Sequence, residues 1–484
     1  MTPRFTPDEL AAATGGRWIG SPPPELSGVS TDSRTLAPGS LFVALRGERF
    51  DAHDHLADAA AHGAAAAVVA EARAALRPFD KLRVSGPISA SDPGHQGTGE
   101  QPVLPSLVVK DTLAALGAVA RLHRRRFALP VVGVTGSNGK TTTREMIAAI
   151  LGLSGPVLKT EGNLNNEVGV PLTLFGLDDG HVRAVVEMGM NHPGEIARLA
   201  AIAEPQVGVV TLAAPAHLEG LGTVDAVADA KAELYQGLPP TGIAVVNADD
   251  PRMLKRAEAS GRRMITFTAG KERRGDVVVL EILSQGADGL RFSLGIGNRE
   301  VPVHIPALVG THNAQNAAAA AAAAVALGCS DREIARGLAL VQPVGRRLRL
   351  ETLPSGLRLV DDCYNANPAS MTAALRTLAD LRGGGRASAV LGDMLELGAF
   401  EGEAHRALGE EAARTGLHRL ATFGPRSRAT AEAARAAGLD AFHTEDLDAL
   451  VGWARAEVNP PDVLLVKGSR GMKLERLVEA LRRP

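Results

Sequence analysis

The stretch of this sequence whose residue types could do chemistry runs from 131 to 142 and reads VVGVTGSNGKTT. Its valines predict a buried strand, its glycines a turn, and the residues from Lys140 onward the start of a helix. Backbone N–H groups at such a helix start bind phosphate, Lys140 can reach the β- and γ-phosphates, and the Thr141 hydroxyl can hold Mg²⁺. Val134 stands where the general phosphate-loop pattern has glycine. The predicted ATP-binding residues are Gly136, Ser137, Asn138, Gly139, Lys140, Thr141 and Thr142.

Two polar residues follow predicted strands further along the chain. Glu187 ends the strand 182–186, where a carboxylate could bind the magnesium that bridges two phosphates. His217 lies in the loop after the strand 207–211, at the sheet edge where ligands gather in α/β proteins. Taken alone, a strand-terminal glutamate is often a surface residue, and a single histidine is usually structural or exposed. Their shared position at strand ends makes both candidates for metal binding.

Helices supply three further candidates. Lys231 lies in the segment DAKAEL, and by spacing alone a lysine beside a glutamate belongs to a solvated helix face. Asn313 and Asn316 lie three residues apart at the start of an alanine-rich helix, so their amides share one face of its first turn. Such amides could contact adenine or ribose, and a pair of helix caps explains them equally well.

Two loops complete the set of candidates. Asp361 and Asp362 follow a predicted strand and lead into CYNANP, and paired carboxylates and amides in that place indicate a site rather than a core. The loop 30–34 offers hydroxyls, one carboxylate and one guanidinium, although turn chemistry alone is the favoured explanation. Its members are Ser30, Thr31, Asp32, Ser33 and Arg34.

The elements that must position these residues alternate strand and helix, which predicts an α/β protein. A length of 484 residues is typical of about three domains. We predict an N-terminal α/β domain over 1–128, a central P-loop ATPase-like parallel sheet over 129–342, and a Rossmann-like domain over 343–484. The segment 85–102 is rich in Gly, Pro and Ser, and we expect a flexible insertion there.

Finer expectations concern two stretches. In the first domain, 59–67 reads as an alanine helix between the strands 41–45 and 68–69. In the central domain, the alternating apolar residues of 276–306 predict an antiparallel extension of the sheet.

Composition excludes several classes of protein. The net charge of −2 and an aromatic content of 3% give neither the basic field nor the stacking platforms of a nucleic-acid-binding protein. Two distant cysteines, Cys329 and Cys363, imply a reducing compartment without a disulfide framework. No cleavable leader or membrane-spanning apolar run is visible, so we expect a cytoplasmic protein without membrane insertion.

Taken together, these residues resemble the Mur ligase family of ATP-dependent amide-forming ligases over nearly the whole chain. The resemblance implies ATP and Mg²⁺ as cofactors, with Thr141, Glu187 and His217 as magnesium ligands. It implies that Lys231 is carbamylated and holds a second magnesium ion. It assigns base contacts to the amides at 313 and 316, ATP contacts to the carboxylates at 361 and 362, and a phosphate contact near the inter-domain hinge to Arg346. The implied catalytic residues are Lys140, Lys231, His217 and Arg346.

Within the family, further stretches resemble the members that add D-alanyl-D-alanine to UDP-N-acetylmuramoyl-tripeptide. They include TEGNLNN, EMGMN, LGDMLELG and VKGSRGM, which begin at residues 160, 187, 391 and 466. The loop 30–34 and the segment 45–51 resemble the UDP-sugar-binding part of these enzymes. The implied substrate-binding residues are those of the loop 30–34 together with Asn163, Asn165 and Asn166. The expected reaction passes through an acyl phosphate, and we expect the chain to act as a monomer.

Two alternatives stay open. A sister ligase, such as a folylpolyglutamate synthase or another amino-acid-adding Mur enzyme, would share the phosphate loop and use a different acceptor. A P-loop regulatory or transport protein would bind ATP and form no amide. Turnover assays distinguish these alternatives, because a sister ligase would use other substrates and a regulatory or transport protein would give no amide product.

Overall fold

The computed structural model describes residues 2–47, 50–72, 104–215, 218–272, 274–286 and 288–483. The predicted insertion at 85–102 lies outside these ranges. Contacts divide the chain into two compact units. The first comprises Met1–Leu129, Asn163–His181 and Ala201–Ala203, and the second comprises Pro130–Gly162, Val182–Ala200 and Glu204–Pro484.

The first unit contains a mainly parallel five-stranded sheet. Its strands, in spatial order, are Arg17–Ile19, Ser106–Val109, Ala66–Ala70, Leu41–Val43 and Val29–Ser30, and only the first pair is antiparallel. Arg4–Phe5 and Leu26–Ser27 form a separate antiparallel pair. The helices are Pro7–Thr14, Leu56–Ala61, Thr112–Arg124 and Gly169–Leu174, with a 3₁₀ turn at Ala52–His55.

The helix predicted over 59–67 is wrong at its C-terminal end. The helix ends at Ala61, while Ala66 and Ala67 are buried in a strand between two neighbouring strands. Alanine has a high intrinsic helix propensity, but its small side chain also fits the middle of a sheet that is covered on both faces. Burial in the sheet therefore outweighs the helix propensity of Ala66 and Ala67.

The second unit holds a nine-stranded sheet that carries the phosphate loop. In spatial order its strands are Arg299–Ile305, Gly289–Ile296, Val277–Gly286, Arg263–Thr268, Ile243–Asn247, Val207–Val210, Val131–Thr135, Arg183–Glu187 and Val157–Lys159. The first three strands pair antiparallel with one another and the remainder pair parallel, which confirms the predicted extension over 276–306. The helices are Lys140–Leu151, Glu195–Ala203, Leu218–Leu221, Val224–Gln236, Pro251–Ala259, His312–Ala326 and Asp331–Ala339, with a 3₁₀ turn at Gly152–Ser154.

The alanine-rich helix His312–Ala326 explains how the phosphate loop is held from behind. Its residues 317–324 are all alanine and fully buried against the sheet and the phosphate-loop helix Lys140–Leu151. Small side chains allow helix and sheet backbones to approach closely, and dispersion contacts then add up over the interface. This close approach brings the polar first turn of the alanine helix to the phosphate loop.

The C-terminal part of the second unit is a six-stranded sheet. Its strands, in spatial order, are Arg349–Thr352, Arg358–Asp362, Val463–Lys467, Ala387–Gly392, Arg419–Phe423 and Ala441–Thr444. Only the first pair is antiparallel. The helices are Pro368–Leu381, Glu401–Arg414, Arg428–Ala436, Leu447–Glu457 and Glu475–Arg482, with 3₁₀ turns at Gly398–Phe400 and Arg470–Met472. No helix among the described residues combines the length and apolar character that crossing a membrane requires.

Candidate active site

The phosphate loop lies at the carboxyl end of the strand Val131–Thr135, between two parallel neighbours. It is fastened to the loop that follows the strand Val207–Val210. Ser137 donates its backbone N–H to the Leu212 carbonyl at 2.9 Å and its hydroxyl to the Ala214 carbonyl at 2.9 Å. The Thr211 hydroxyl donates to the Asn138 carbonyl. These bonds fix the loop backbone, so its N–H groups keep their directions without a ligand to organise them.

Gly136 is required by this geometry. Its φ is +148°, and a Cβ there would lie 1.8 Å from the Thr211 hydroxyl oxygen. We expect Gly136→Ala to lower the free energy of unfolding by about 3 kcal/mol, through backbone strain and overpacking. The matched control is Gly152→Ala, since Gly152 has a φ of −64° and no atom within 4 Å of the added carbon. Urea unfolding of both variants measures the difference, and equal stabilities would contradict the assigned loop conformation.

Lys140 begins the helix Lys140–Leu151 and bends back over the loop. Its Nζ donates to the Gly136 carbonyl at 2.6 Å. Burial lowers the pKa of Lys140, the negative charge of Glu187 opposes that effect, and the positive charge of Arg347 adds to it. The amine therefore lies at the loop, within electrostatic reach of an acidic and a basic residue.

Thr141 and Glu187 form a buried pair of oxygen donors beside the loop. The Thr141 hydroxyl donates to Glu187 Oε2 at 2.8 Å, and both residues are at most 4% exposed. Arg144 also donates to Glu187 Oε2, at 3.0 Å, and it is itself only 1% exposed. A hydroxyl and a carboxylate next to a phosphate loop form a hard-oxygen donor set that fits Mg²⁺. This arrangement supports the predicted roles of Thr141 and Glu187.

The structure gives less information on the other predicted magnesium ligands. His217 lies outside the described residues, so its predicted role stays a prediction. Within the ranges that the structure describes, no group of three or more His, Cys, Asp and Glu side chains could hold a metal ion. The Thr141 hydroxyl and a carbamylated Lys231 are further kinds of metal ligand that such a group does not include. The metal site is therefore argued from the donor chemistry of Thr141 and Glu187.

Lys231 is buried, and the solvated helix face that its spacing favoured is wrong. It is 1% exposed on the helix Val224–Gln236. Burial lowers the pKa of Lys231 well below its usual 10.5, and the positive charge of Lys140 lowers it further. A lower pKa increases the fraction of the lysine amine that is uncharged at a given pH. That form of the amine is the one that reacts with CO₂ to give a carbamate.

Asn313 and Asn316 are both buried on the first turn of the alanine-rich helix. Asn316 donates to Asn313 Oδ1 at 3.0 Å, and Asn313 donates to the Val309 carbonyl at 2.7 Å. A Cβ on Gly139 would lie 2.3 Å from Asn316 Oδ1, so this amide touches the phosphate loop. The structure shows no capping bond from either side chain to a helix N–H; whether they contact the nucleotide stays a prediction.

A cavity of about 590 Å³ opens at the same helix start. Thr311, His312 and Gln315 line it, together with the loop 269–271 and residues of the helix Pro368–Leu381. Asp249 shapes that loop by accepting hydrogen bonds from the N–H groups of residues 269 and 270. Burial and the nearby Lys467 charge lower the pKa of His312 to about 4, so its ring is uncharged at neutral pH. A neutral imidazole can both donate and accept a hydrogen bond in this cavity.

Asp361 and Asp362 are the last residues of their strand and are already engaged by cations. Asp361 accepts from Arg346 at 3.1 Å, and Asp362 forms a 2.7 Å ion pair with the buried Lys467. Burial raises the pKa of Asp362, and the Lys467 charge opposes that shift. A direct ATP contact by either carboxylate stays a prediction.

Arg346 and its neighbour Arg347 have different surroundings. Arg346 is occupied by two ion pairs, to Asp361 and, at 2.8 Å, to Glu479. Arg347 stacks on Tyr364, with its guanidinium carbon 3.8 Å from the ring centroid. It is Arg347 whose charge acts on Lys140 and on Asp362. Arg347 is therefore a second candidate for the arginine that acts at the phosphate loop, and the role of Arg346 stays a prediction.

The predicted substrate-binding residues all lie in the first unit. In the loop 30–34, Ser30 donates to the Asp32 carbonyl at 3.0 Å, and Arg34 forms two side-chain hydrogen bonds to Asp32 at 2.9 and 2.7 Å. Arg34 lowers the pKa of Asp32 through these bonds. Thr31 and Ser33 lie between them. These local contacts are the turn chemistry that the sequence favours, so a substrate role for the loop stays a prediction.

The second group of predicted substrate residues surrounds a helix start. Asn166 Oδ1 accepts from the N–H groups of Val168 and Gly169, at 3.2 and 2.8 Å, just where the helix Gly169–Leu174 begins. Asn163 is exposed and Asn165 partly buried. A structural role is thus visible for Asn166, and substrate contacts of all three stay predictions.

Sequence reasoning missed three residues of this site. Arg144 follows Thr141 by three positions and contacts Glu187, and a helical projection could have placed it on the same face as Thr141. Arg347 adjoins the predicted Arg346. Asn367, the cap of the helix Pro368–Leu381, contacts Asn138 across 229 residues of chain, and no local pattern reveals such a contact.

Comparison with known proteins assigns the family. Three family models match the chain: "Mur ligase family, catalytic domain" over residues 25–124, "Mur ligase middle domain" over 134–324, and "Mur ligase, glutamate ligase domain" over 346–470. The UDP-N-acetylmuramoyl-tripeptide--D-alanyl-D-alanine ligase of Escherichia coli K12 is 39% identical over 94% of both chains.

Solved structures of MurF ligases have the same architecture as this chain. A MurF crystal structure from Acinetobacter baumannii aligns with a TM-score of 0.86 at 35% identity, covering 100% of both chains. MurF ligase from Thermotoga maritima in complex with ADP aligns with a TM-score of 0.78 at 27% identity, covering 94% of this chain and 97% of that one. The predicted three-domain α/β architecture is confirmed. With its phosphate loop, buried lysine and hard-oxygen pair in the matched middle domain, the chain belongs to the Mur ligase family.

Proposed function

We propose that this protein is an ATP-dependent ligase that joins D-alanyl-D-alanine to UDP-N-acetylmuramoyl-tripeptide and so makes the UDP-muramoyl-pentapeptide precursor of peptidoglycan. The observation that carries the proposal is the likeness to the E. coli ligase of that name over 94% of both chains. The phosphate loop supports the use of ATP, as does the ADP bound in the T. maritima relative. We further propose that the domain boundaries lie near 128/129 and 342/343, and that the enzyme acts as a cytoplasmic monomer.

The reaction needs two steps because a carboxylate is a poor acyl donor. In the first step, an oxygen of the tripeptide's terminal carboxylate attacks the γ-phosphorus of ATP, a new P–O bond forms, and ADP leaves. In the second step, the amine of D-alanyl-D-alanine attacks the acyl carbon, the C–N bond forms, and phosphate leaves with the original carboxylate oxygen. The amine loses one proton. The products are the pentapeptide, ADP and phosphate.

The loop residues meet the electrostatic demand of the first step. Two anions must approach each other, and Lys140 with the fixed backbone N–H groups of residues 136–142 offsets their repulsion. Thr141 and Glu187 would hold Mg²⁺, which when bound spreads the charge that develops on the transferred phosphoryl group. Carbamylated Lys231 and His217 would complete the metal-binding set.

The nucleoside part of ATP has a matching place beside the loop. The cavity is lined by His312 and Gln315, which lie in the same first turn of the alanine helix as Asn313 and Asn316, and the second of these amides touches Gly139. We infer that the adenine base enters this cavity, where the amides and the neutral His312 supply donors and acceptors. Asp361 or Asp362 would contact the ribose from the C-terminal domain.

Arg347 is the arginine that we infer to face the transferred phosphoryl group. We expect Arg347→Ala to lower kcat about 100-fold, the usual loss for one group that stabilises transition-state charge. Arg346→Ala leaves Asp361 short of a partner, so we expect a loss of about 2 kcal/mol of stability with a smaller loss of kcat. Steady-state kinetics and urea unfolding of the two variants decide between the neighbours. A larger kcat loss in Arg346→Ala would assign the phosphate contact to Arg346.

The experiment that tests the function measures phosphate release together with the mass of the product. Complete reactions contain ATP, Mg²⁺, UDP-muramoyl-tripeptide and D-alanyl-D-alanine, and single omissions remove each in turn. We expect release only when both substrates are present, and a product with the mass of the pentapeptide. Turnover with glutamate and a folate, or with another amino acid, would make the protein a sister ligase. ATP binding without an amide product from any acceptor would overturn the proposal.

A further inference from the structure

Asn138 belongs to the phosphate loop, yet its side chain contacts the C-terminal domain. Its Nδ2 donates to Asn367 Oδ1 at 3.3 Å, and Asn367 Nδ2 donates to Asn138 Oδ1 at 2.7 Å. Each amide donates one hydrogen bond to the other, so the pair is reciprocal. Asn367 Oδ1 also accepts from the Ser370 N–H, which fixes the orientation of both amides. We propose that Asn138 and Asn367 are positioning residues that dock the C-terminal domain on the phosphate loop for catalysis.

Further hydrogen bonds fix the segments on either side of the Asn138–Asn367 contact. The carbonyl of Asn138 accepts from the Thr211 hydroxyl, which fixes this part of the loop. Asn367 caps the helix Pro368–Leu381, accepting from the Ser370 N–H at 2.9 Å. Lys467 donates to the Asn365 carbonyl at 2.9 Å, which ties the loop before the cap to the neighbouring strand. The pair therefore joins two segments that are each fixed by further hydrogen bonds, and a small shift of either segment breaks both hydrogen bonds of the pair.

The segment that carries Asn367 also contacts Arg347, and the helix that follows it has a second contact with the central sheet. Asn367 follows Tyr364 in the same segment, and Arg347 stacks on that tyrosine. The charge of Arg347 also lowers the pKa of Lys140 in the phosphate loop. The helix Pro368–Leu381 is held at its other end as well, where Gln285 of the central sheet donates to Asp380 at 2.7 Å. The Asn138–Asn367 pair connects the start of this helix to the phosphate loop.

The inference rests on the proposed function and is tested with the full chain in three variants. Asn138→Ala removes the amide and keeps the loop backbone and Lys140. Asn367→Ser keeps a good helix-capping side chain but cannot reach Asn138. The third variant combines the two changes. Ser370→Ala is the matched control, because it removes the other half of the capping box and leaves the Asn138–Asn367 pair intact.

We expect each single variant to lower kcat about tenfold and the double variant to be no worse than either single one, as for two residues of one contact. We expect the dissociation constant of ADP, measured by calorimetry, to change less than about threefold, because backbone groups and Lys140 bind the phosphates. Ser370→Ala should keep the parent kcat.

Three results would overturn the inference. Unchanged kcat in both single variants would show that the contact is dispensable. Losses that multiply in the double variant would show two independent effects. A loss of ADP affinity in Asn138→Ala that equals the loss of kcat would assign the amide to the nucleotide. The parent is assayed in the same series, so an inactive parent overturns the proposed function, and an active parent with unaffected variants overturns only the docking role.

Discussion

Lys231→Ala is expected to lower the rate of amide synthesis about 1,000-fold, because removing a metal-binding anion from the phosphoryl-transfer site costs about as much as losing an oxyanion-hole donor. The physical reason begins with burial. A fully buried amine with a depressed pKa is uncharged over a wider pH range and attacks CO₂, losing one proton as the carbamate forms. The product is a carboxylate-like group at the place where the family resemblance puts a second metal ion.

Carbamylation has a direct readout that does not depend on activity. Enzyme prepared in ¹³C-labelled bicarbonate should show one carbamate carbon signal by NMR, which disappears in Lys231→Ala. Lys255→Ala, at an exposed position of the helix Pro251–Ala259, is the control and should keep both the signal and the activity. Because only the uncharged amine reacts, recovery of CO₂-stripped enzyme should become faster as the pH rises. A signal that persists in Lys231→Ala would contradict the assignment.

The burial of Lys231 also affects the stability of the folded protein. Between its depressed folded-state pKa and the usual 10.5, Lys231 binds more protons in the unfolded chain than in the folded one, so stability rises with pH in that range. The cost of burying the amine is greatest at low pH, and it falls as the pH rises from the depressed folded-state pKa toward 10.5. Lys231→Met removes the ionisable group and keeps much of its volume. We therefore expect this inactive variant, compared with carbamate-free parent, to melt at a higher temperature, with the larger gain at the lower pH.

Lys140→Ala is the second variant for which we expect a loss of about 1,000-fold in kcat, since it removes the positive charge nearest the transferred phosphoryl group. The Lys140 amine already lies at the loop through its bond to the Gly136 carbonyl. Its removal leaves the negative charge of Glu187 near the phosphates with less compensation. Single-turnover measurement of phosphoryl transfer isolates this step from product release.

The control for Lys140→Ala is Lys159→Ala. Lys159 is a partly exposed lysine of the same sheet that pairs with Glu145. We expect Lys159→Ala to keep kcat within about threefold of the parent, as for the loss of a partly exposed ion pair. Equal losses in the two variants would show that general charge at this end of the sheet matters, rather than the position of Lys140.

Much of the fold follows from local patterns. The strands at 131–135, 183–187, 207–210 and 243–247 are buried over most of their length, and their central residues are accordingly apolar, with polar residues only at the strand ends. The carboxyl ends of these parallel strands then place the phosphate loop and Glu187 at one edge of the sheet. Strand-end reasoning therefore locates the loop and its nearest carboxylate from sequence.

What the sequence does not reveal depends on tertiary contacts. Helical spacing cannot tell that Lys231 is buried, because the neighbours that cover it come from elsewhere in the chain. Alanine propensity misplaced the residues 66 and 67, whose burial in a sheet overrides their preference for helix. The Asn138–Asn367 contact joins two domains. Arg346 and Arg347 are neighbours of the same residue type, and only their tertiary contacts distinguish them: ion pairs for Arg346 and stacking on Tyr364 for Arg347.

The acyl-phosphate mechanism is tested most directly by following the oxygen atoms of the tripeptide's terminal carboxylate. Both oxygens are labelled with ¹⁸O, and the released phosphate and the pentapeptide are analysed by mass spectrometry. Formation of an acyl phosphate predicts one ¹⁸O atom in each phosphate and one in the new amide carbonyl. Phosphate without label, released while the amide forms, would contradict the mechanism, because the carboxylate oxygen would then never have been bonded to phosphorus.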